Sequence, residues 1–313
     1  MARGGRKGRR IDGWLVVDKD EGLTSTHVVT IAKRLTDARK VGHGGTLDPL
    51  ATGVLPLAFG EATKTVAWVM DATKRYRFTV RFGEARDTDD AEGALIGERA
   101  VRPGDAAIRA ALAAFVGTIP QRPPSFAAVK VDGQRAYDMA RRGEAVDLPP
   151  RPVRIDALDM VERPDADHAV FEAVCGKGTY VRAIARDLGQ ALGCLGHISR
   201  LRRLSVGAFT VENAVTLETL RRVVEDDTLP QVLVPMATAL ADIPALAVTG
   251  PQAQRLRAGN GITVPPRFLE DSGITRWPVR AMWQGEVVAI LKEEDGEISP
   301  LRVFNATSAS TPS

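Results

Sequence analysis

The sequence predicts an α+β protein built on a mainly antiparallel, mixed sheet, with a small β-rich unit behind it. Three observations carry that reading. Tyr76, Phe78, Val80 and Phe82 alternate with Arg77, Thr79 and Arg81, the period of a strand with one buried and one wet face. Behind Gly176-Lys177-Gly178, the residues Val181, Ile184, Ala185, Leu188 and Leu192 recur at the spacing of one helix face. Strands and helices mix along the chain without a regular strand–helix–strand repeat, which disfavours a parallel, doubly wound sheet.

Taken in order, the chain opens on a basic arm over residues 1–10, in which Arg3, Arg6, Lys7, Arg9 and Arg10 precede the first acid. Such a run suits phosphate binding and equally suits a solubilising tail, because charge alone specifies no partner. Trp14 to Lys19 reads as a buried strand broken at Gly22. Thr24-Ser25-Thr26 then offers an N-cap to a helix whose apolar stripe is Val28, Val29, Ile31, Ala32 and Leu35. From Val41 to Gly60 glycine and proline are too dense for a helix. A second alternating segment, Ala169 to Cys175, predicts another strand. Residues 122–154, rich in proline and basic side chains around the amphipathic stretch Tyr137 to Arg142, read as a surface excursion. Short strand candidates at Arg280 to Trp283, Glu286 to Leu291 and Leu301 to Phe304 predict the small unit over residues 245–305, followed by a polar tail at 306–313.

Composition narrows the function classes. With 313 residues, 44% of them hydrophobic, the chain can bury a large core and a smaller one. The longest apolar runs, such as Val54 to Phe59, fall well short of the roughly 18–20 residues a bilayer demands. The basic arm has no apolar stretch behind it to make a secretory signal, so a cytoplasmic protein is expected. Cys175 and Cys194 form no CxxC pair, and His27, His43, His168 and His197 form no HxxxH or HExxH pattern. A disulfide scaffold and a structural zinc are therefore not expected.

Asp48 stands out on chemical grounds. In Gly44-Gly45-Thr46-Leu47-Asp48-Pro49-Leu50, the proline pushes the aspartate out of the helical region, and the glycines let backbone or ligand approach closely. A carboxylate held that way is aimed at something. On its own the segment also fits an Asx-turn or a helix cap.

The longer stretch His43-Gly44-Gly45-Thr46-Leu47-Asp48-Pro49-Leu50-Ala51-Thr52-Gly53-Val54-Leu55-Pro56 resembles the catalytic-loop signature of TruB-type pseudouridine synthases. Three further stretches resemble that family in the same order. They are Lys74-Arg75-Tyr76, the acidic turn from Phe82 to Gly93, and Lys177 to Gly189 continuing into Leu201-Arg202-Arg203. The resemblance implies a catalytic domain over residues 11–240 with a thumb insert at about 122–154, and a PUA-like RNA-binding domain at 245–305. It also implies isomerisation of uridine 55 in the T arm of tRNA, by base flipping and without cofactor or metal. Asp48 would be the nucleophile, Arg182 its ion-pair partner and Tyr76 a stacking platform for the flipped base. His43 would contact RNA, while Tyr180 and Leu201 would wall the uracil pocket. Lys177, Arg182, Arg186, Arg200, Arg202 and Arg203 cluster around only one acid in sequence, Asp187, and would follow the phosphates of the T arm. In the insert, Phe126 and Ala127 stand where many family members carry Tyr and Ser, so a hydroxyl role there is not expected.

Without the resemblance, each of these residues has a plainer reading: a core tyrosine, a structural histidine, an exposed helix arginine, a solvated basic face. Two other functions compete. A non-catalytic tRNA-folding protein would use the same groove, but the trio Asp48, Tyr76 and Arg182 disfavours it. A guide-dependent relative acting inside a ribonucleoprotein would lean on partner proteins, and the insert and the C-terminal unit point away from it. The expected state is a monomer with no obligate protein partner.

Overall fold

The computed structural model describes residues 8–126, 130–131, 134–135, 142 and 148–305. The amphipathic stretch expected at Tyr137 to Arg142 lies outside them except for residue 142, as do the tail and all but residues 8–10 of the arm.

The first strand, β1 (Gly13–Lys19), runs into helix Ser25–Thr36, whose N-cap Thr24 accepts the His27 N–H at 3.1 Å. Strands β2 (Val41–His43) and β3 (Thr52–Phe59) flank the glycine-rich loop, and β4 (Lys74–Phe82) is the alternating strand. The short pair β5 (Glu84–Arg86) and β6 (Leu95–Glu98) brackets the acidic turn. Strand β7 (Gly117–Gln121) leads into the insert, where β8 (Lys130–Val131) pairs with β9 (Gln134–Arg135). Then come β10 (Arg151–Glu162), β11 (His168–Cys175), helix Val181–Ala191, β12 (Gly196–Val206) and β13 (Phe209–Thr210). Among the described residues these strands build a nine-stranded sheet in the order β1-β3-β12-β4-β11-β10-β7, with β2 added on β3 and β13 on β12. All its pairings are antiparallel except β3 with β12. Arg151 to Arg154, assigned from sequence to the insert, belong to β10 and pair with β7, so the excursion closes before Arg151.

The sheet is mixed because of how β3 is covered. Its Thr52 and Gly53 pair with Arg202 and Arg203 of β12, and its Leu57 to Phe59 pair with β2. Pro56, which has no N–H to give, falls between those two stretches and faces Val16 of β1 on the other side. Gly53 is required: its φ is +96°, and a Cβ there would lie 2.2 Å from the Arg203 carbonyl oxygen.

One face of the sheet is the main core. Phe78, Val80, Phe82 and Phe171 are buried, and the Phe78 and Phe171 rings stack with centroids 5.5 Å apart. Burying each such side chain stabilises by about 1.5–3 kcal/mol. Helix Val181–Ala191 lays Val181, Ile184, Ala185 and Leu188 onto this face, the stripe read from the sequence. Arg75, Arg77, Thr79 and Arg81 alternate onto the opposite face, where Glu172 bridges Arg75 and Arg77.

The C-terminal unit is a four-stranded sheet in the order β14 (Ala245–Ala247), β15 (Val279–Trp283), β16 (Glu286–Glu294) and β17 (Glu297–Val303). It also carries helices Gly250–Arg257 and Pro266–Asp271, which the strand pattern did not announce. Cys175 and Cys194 are both buried free thiols.

Candidate active site

The glycine-rich segment is a loop pinned on both flanks, and its pins are buried polar groups. Ser25, at the start of the first helix, accepts the Leu47 N–H at 2.8 Å and donates its hydroxyl to the Leu47 carbonyl at 3.0 Å. Lys19, fully buried at the end of β1, donates Nζ to the carbonyls of Leu23 (2.7 Å), Asp20 (2.9 Å) and Pro49 (3.1 Å). Burial pulls its pKa down to about 8, against the opposing pull of Asp48 and other acids. From the other flank Arg203, 2% exposed, donates Nε to the Val54 carbonyl at 2.8 Å. Its Nη1 and Nη2 reach the carbonyls of Thr46 and Gly45, both at 3.2 Å. Leu47, Leu50 and Ala51 turn into the core, and the Asp48 side chain stays 37% exposed.

Asp48 faces one arginine. Arg182 sits in the first turn of helix Val181–Ala191, with its Nε 2.9 Å from Asp48 Oδ2 in an ionic contact not aligned as a hydrogen bond. The guanidinium is buried and held from three further directions. Nη1 donates to the Thr88 carbonyl at 2.9 Å and lies 3.5 Å from Asp90 Oδ2, and Nη2 donates to the Phe126 carbonyl at 3.0 Å. Asp90, 3% exposed, is itself fixed by the Thr88 hydroxyl at 2.6 Å and the Glu92 N–H at 3.1 Å. The acidic turn therefore acts as the far clamp of Arg182, fixing the charge that Asp48 meets.

In front of Asp48 opens a cavity of about 320 Å³ lined by the loop, Tyr76, Lys74, Lys177, Tyr180, Leu201 and Arg203 among others. Tyr76 is half-buried, and burial pushes its phenol pKa up against the opposing pull of the nearby Arg203 charge. Tyr180 caps the Arg182 helix, and the Gln121 side chain grips its backbone at both ends. Gln121 Oε1 accepts the Tyr180 N–H at 2.8 Å, and its Nε2 donates to the Tyr180 carbonyl at 3.2 Å.

Of the residues singled out in the sequence, Asp48, Tyr76, Tyr180, Arg182, Leu201, Lys177 and Arg203 line this one cavity. His43 does not. Its Nδ1 accepts the Gly45 N–H at 3.3 Å behind the loop, and burial with the nearby Arg203 charge lowers its pKa, which keeps the ring neutral.

The basic cluster read as having Asp187 for its single acid is paired by the fold with acids distant in sequence. Arg186 meets both Asp89 and Asp187 at 2.8 Å, and Arg202 forms a two-pronged pair with Asp18 at 2.7 and 2.9 Å. Lys177 meets Asp71 at 2.6 Å on the surface, and Arg200 is exposed. Arg203 spends its donors on loop carbonyls as a buried brace. The sequence reading missed Lys19, Ser25, Gln121 and Asp90. Lys19 carried a signal: it closes a strand whose run from Trp14 to Val17 is apolar and buried.

Among the described residues no cluster of three or more His, Cys, Asp or Glu is arranged to hold a metal. None of their helices is long and apolar enough to cross a membrane.

A pinned carboxylate, a buried arginine beside it and an aromatic-walled cavity mark a candidate active site, and comparison with known proteins places the chain in a family. Residues 33–181 match the TruB family pseudouridylate synthase N-terminal domain, and residues 182–241 match the tRNA pseudouridylate synthase B C-terminal domain. A protein of Gluconacetobacter diazotrophicus named tRNA pseudouridine synthase B is 54% identical, the match covering 96% of this chain and 99% of that one. A protein of the same name from Ruegeria sp. strain TM1040 is 53% identical, with 96% and 98% covered. Among solved structures, a chain of a Cbf5-Nop10-Gar1 complex superposes with a TM-score of 0.70 at 26% identity, covering 90% of this chain and 78% of that one. The chain belongs to the TruB family of pseudouridylate synthases, and is therefore an isomerase.

Proposed function

We propose that this enzyme converts uridine 55 in the T loop of tRNA to pseudouridine, with Asp48 as the nucleophile. The observation that carries the reading is the coincidence of the pinned Asp48–Arg182 pair with the cavity walled by Tyr76, Tyr180 and Leu201. The names of the relatives from Gluconacetobacter and Ruegeria support tRNA as the substrate.

Pseudouridine formation breaks the bond from N1 of uracil to the ribose, turns the base and joins carbon 5 to the ribose instead; carbon 5 loses a proton and N1 gains one, so atoms and electrons balance. The site must hold a charged nucleophile, keep the freed base from escaping and exclude water. Asp48 supplies the carboxylate, and Arg182, anchored by Asp90, Thr88 and Phe126, stabilises the charge at Asp48 from a fixed position. A stacked T-loop uridine costs a few kcal/mol to extrude, and stacking on the Tyr76 ring offsets that cost. The apolar Leu201 closes the pocket beside it. Residues 11–240 form the catalytic domain, with the insert before Arg151 as its thumb, and residues 245–305 a PUA-like RNA-binding domain. The enzyme works as a cytoplasmic monomer without cofactor or protein partner.

The test is position mapping. Wild-type protein and unmodified tRNA transcript should yield pseudouridine at position 55, and a transcript with cytidine there should yield none. Pseudouridine at another position would overturn the assignment of the target uridine, and no product despite tight binding would favour a tRNA-folding role.

A further inference from the structure

We infer that a second phosphate-binding site for the same RNA lies at the far end of β1 and β3, where Arg9, Arg10, Arg39 and Lys40 rim an open depression of about 470 Å³. The inference rests on the reading of tRNA as substrate and adds a binding surface outside the catalytic cleft. Strand β3 leaves the catalytic loop at Thr52 and ends at Phe59, where Gly13 pairs with it and Gly60 lines the depression. Eight extended residues set the two sites roughly 25 Å apart. Along a stacked strand, at roughly 3.4 Å of axis per nucleotide, that separation corresponds to about seven steps from the target base.

Arg9, Arg10 and Arg39 are tied to the fold by hydrogen bonds. Arg9 N–H donates to the Asp37 carbonyl at 2.6 Å, and Arg39 N–H donates back to the Arg9 carbonyl at 3.0 Å. Arg39 Nε reaches the Gly8 carbonyl at 2.5 Å, and Arg10 donates to the Asn305 carbonyl, tying the site to the end of the C-terminal unit. The two acids on the rim are occupied internally. Asp12 Oδ1 accepts the Glu61 N–H at 2.7 Å, and Glu61 Oε2 accepts both Lys64 Nζ and the Asn305 N–H at 2.7 Å. Asp12 Oδ2 meets Arg10 Nε at 3.2 Å. The Arg9 pair with Asp227, at 3.7 Å between side chains 55% and 87% exposed, is too solvated to compete with a phosphate. Lys40 is exposed and has no ion pair among the described residues. With Arg10 paired to Asp12 and Arg9 only loosely to Asp227, Arg39 and Lys40 have no ion pair among the described residues, so the rim keeps an excess of positive charge, and RNA backbone is the polyanion this enzyme already handles.

The double variant Arg9→Glu, Lys40→Glu tests this, because both side chains are exposed and neither touches the catalytic cleft. Binding and turnover are measured over a salt series with full-length tRNA transcript and with a short T stem-loop that ends before the second site. The expected result is at least a tenfold drop in affinity for full-length tRNA and a salt slope shallower by about 1 for each phosphate no longer neutralised, with stem-loop binding and turnover unchanged. Unchanged affinity and slope for full-length tRNA would overturn the inference, and so would equal losses on both RNAs. Wild-type turnover of the stem-loop tests the tRNA reading separately.

Discussion

At the level of single residues, the site spends more polar groups on holding Asp48 than on meeting a substrate. Lys19, Ser25 and Arg203 bind loop carbonyls, and each would leave buried acceptors unsatisfied if removed, at about 1–3 kcal/mol per group. Arg182 is the exception, because it meets the Asp48 carboxylate itself, where the cavity opens. Replacing it by lysine keeps the charge but gives up the planar fork that reaches Thr88, Phe126 and Asp48 together. Arg182→Lys should lower the single-turnover rate by about 10²–10³-fold with little change in tRNA affinity. An affinity loss as large as the rate loss would instead make Arg182 a binding residue.

At the level of elements, what the sequence disclosed depended on how local the cause was. Strand β4 and helix Val181–Ala191 were legible because each shows its own periodicity, alternating in Tyr76 to Phe82 and helical in Val181 to Leu192. Strand β3 was not, because it is buried on both faces and carries Gly53 and Pro56, residues that argue against a strand until the gap between β12 and β2 is known. The same holds for the site. Asp48 was visible from its glycine-rich, proline-backed segment, and the Arg182 pairing followed from a family resemblance. The Asp90 clamp, the Lys19 anchor and the acids that neutralise Arg186 and Arg202 depend on pairs far apart in the chain, which no window of sequence displays. Gly53→Ala gives the element-scale test, forcing a Cβ into the Arg203 carbonyl at a positive φ. It should cost at least about 2 kcal/mol, seen as a lower urea midpoint with an unchanged slope. A midpoint equal to wild type would show that β3 and β12 are not locked at Gly53.

For the molecule as a whole, acid sensitivity should follow from buried neutral histidines. His197 is 1% exposed with Nδ1 3.2 Å from the Glu84 carbonyl, and burial lowers its pKa below 6.5, as it does for His43. The unfolded chain therefore takes up protons first as pH falls through about 6.5, so the stability these rings contribute is present above that pH and lost below it. Asp89 works the other way. Burial raises its pKa to about 6 against the pull of Arg186, so its contribution is present at low pH and lost as pH rises through about 6. Comparing wild type with His197→Gln isolates one ring: the difference in unfolding free energy between pH 7.5 and 5.5 should be smaller in the variant. An equal difference would show that His197 titrates alike in both states.

The central claim is that Asp48 carries the chemistry and the rest of the site holds it in place. Its most direct test is Asp48→Asn, a change that preserves shape, assayed for pseudouridine on unmodified tRNA transcript beside wild type, with binding measured on the same preparations. The variant should bind tRNA within a few-fold of wild type and make no detectable product. Product formation at a rate near wild type would contradict it, because the carboxylate could then not be the nucleophile.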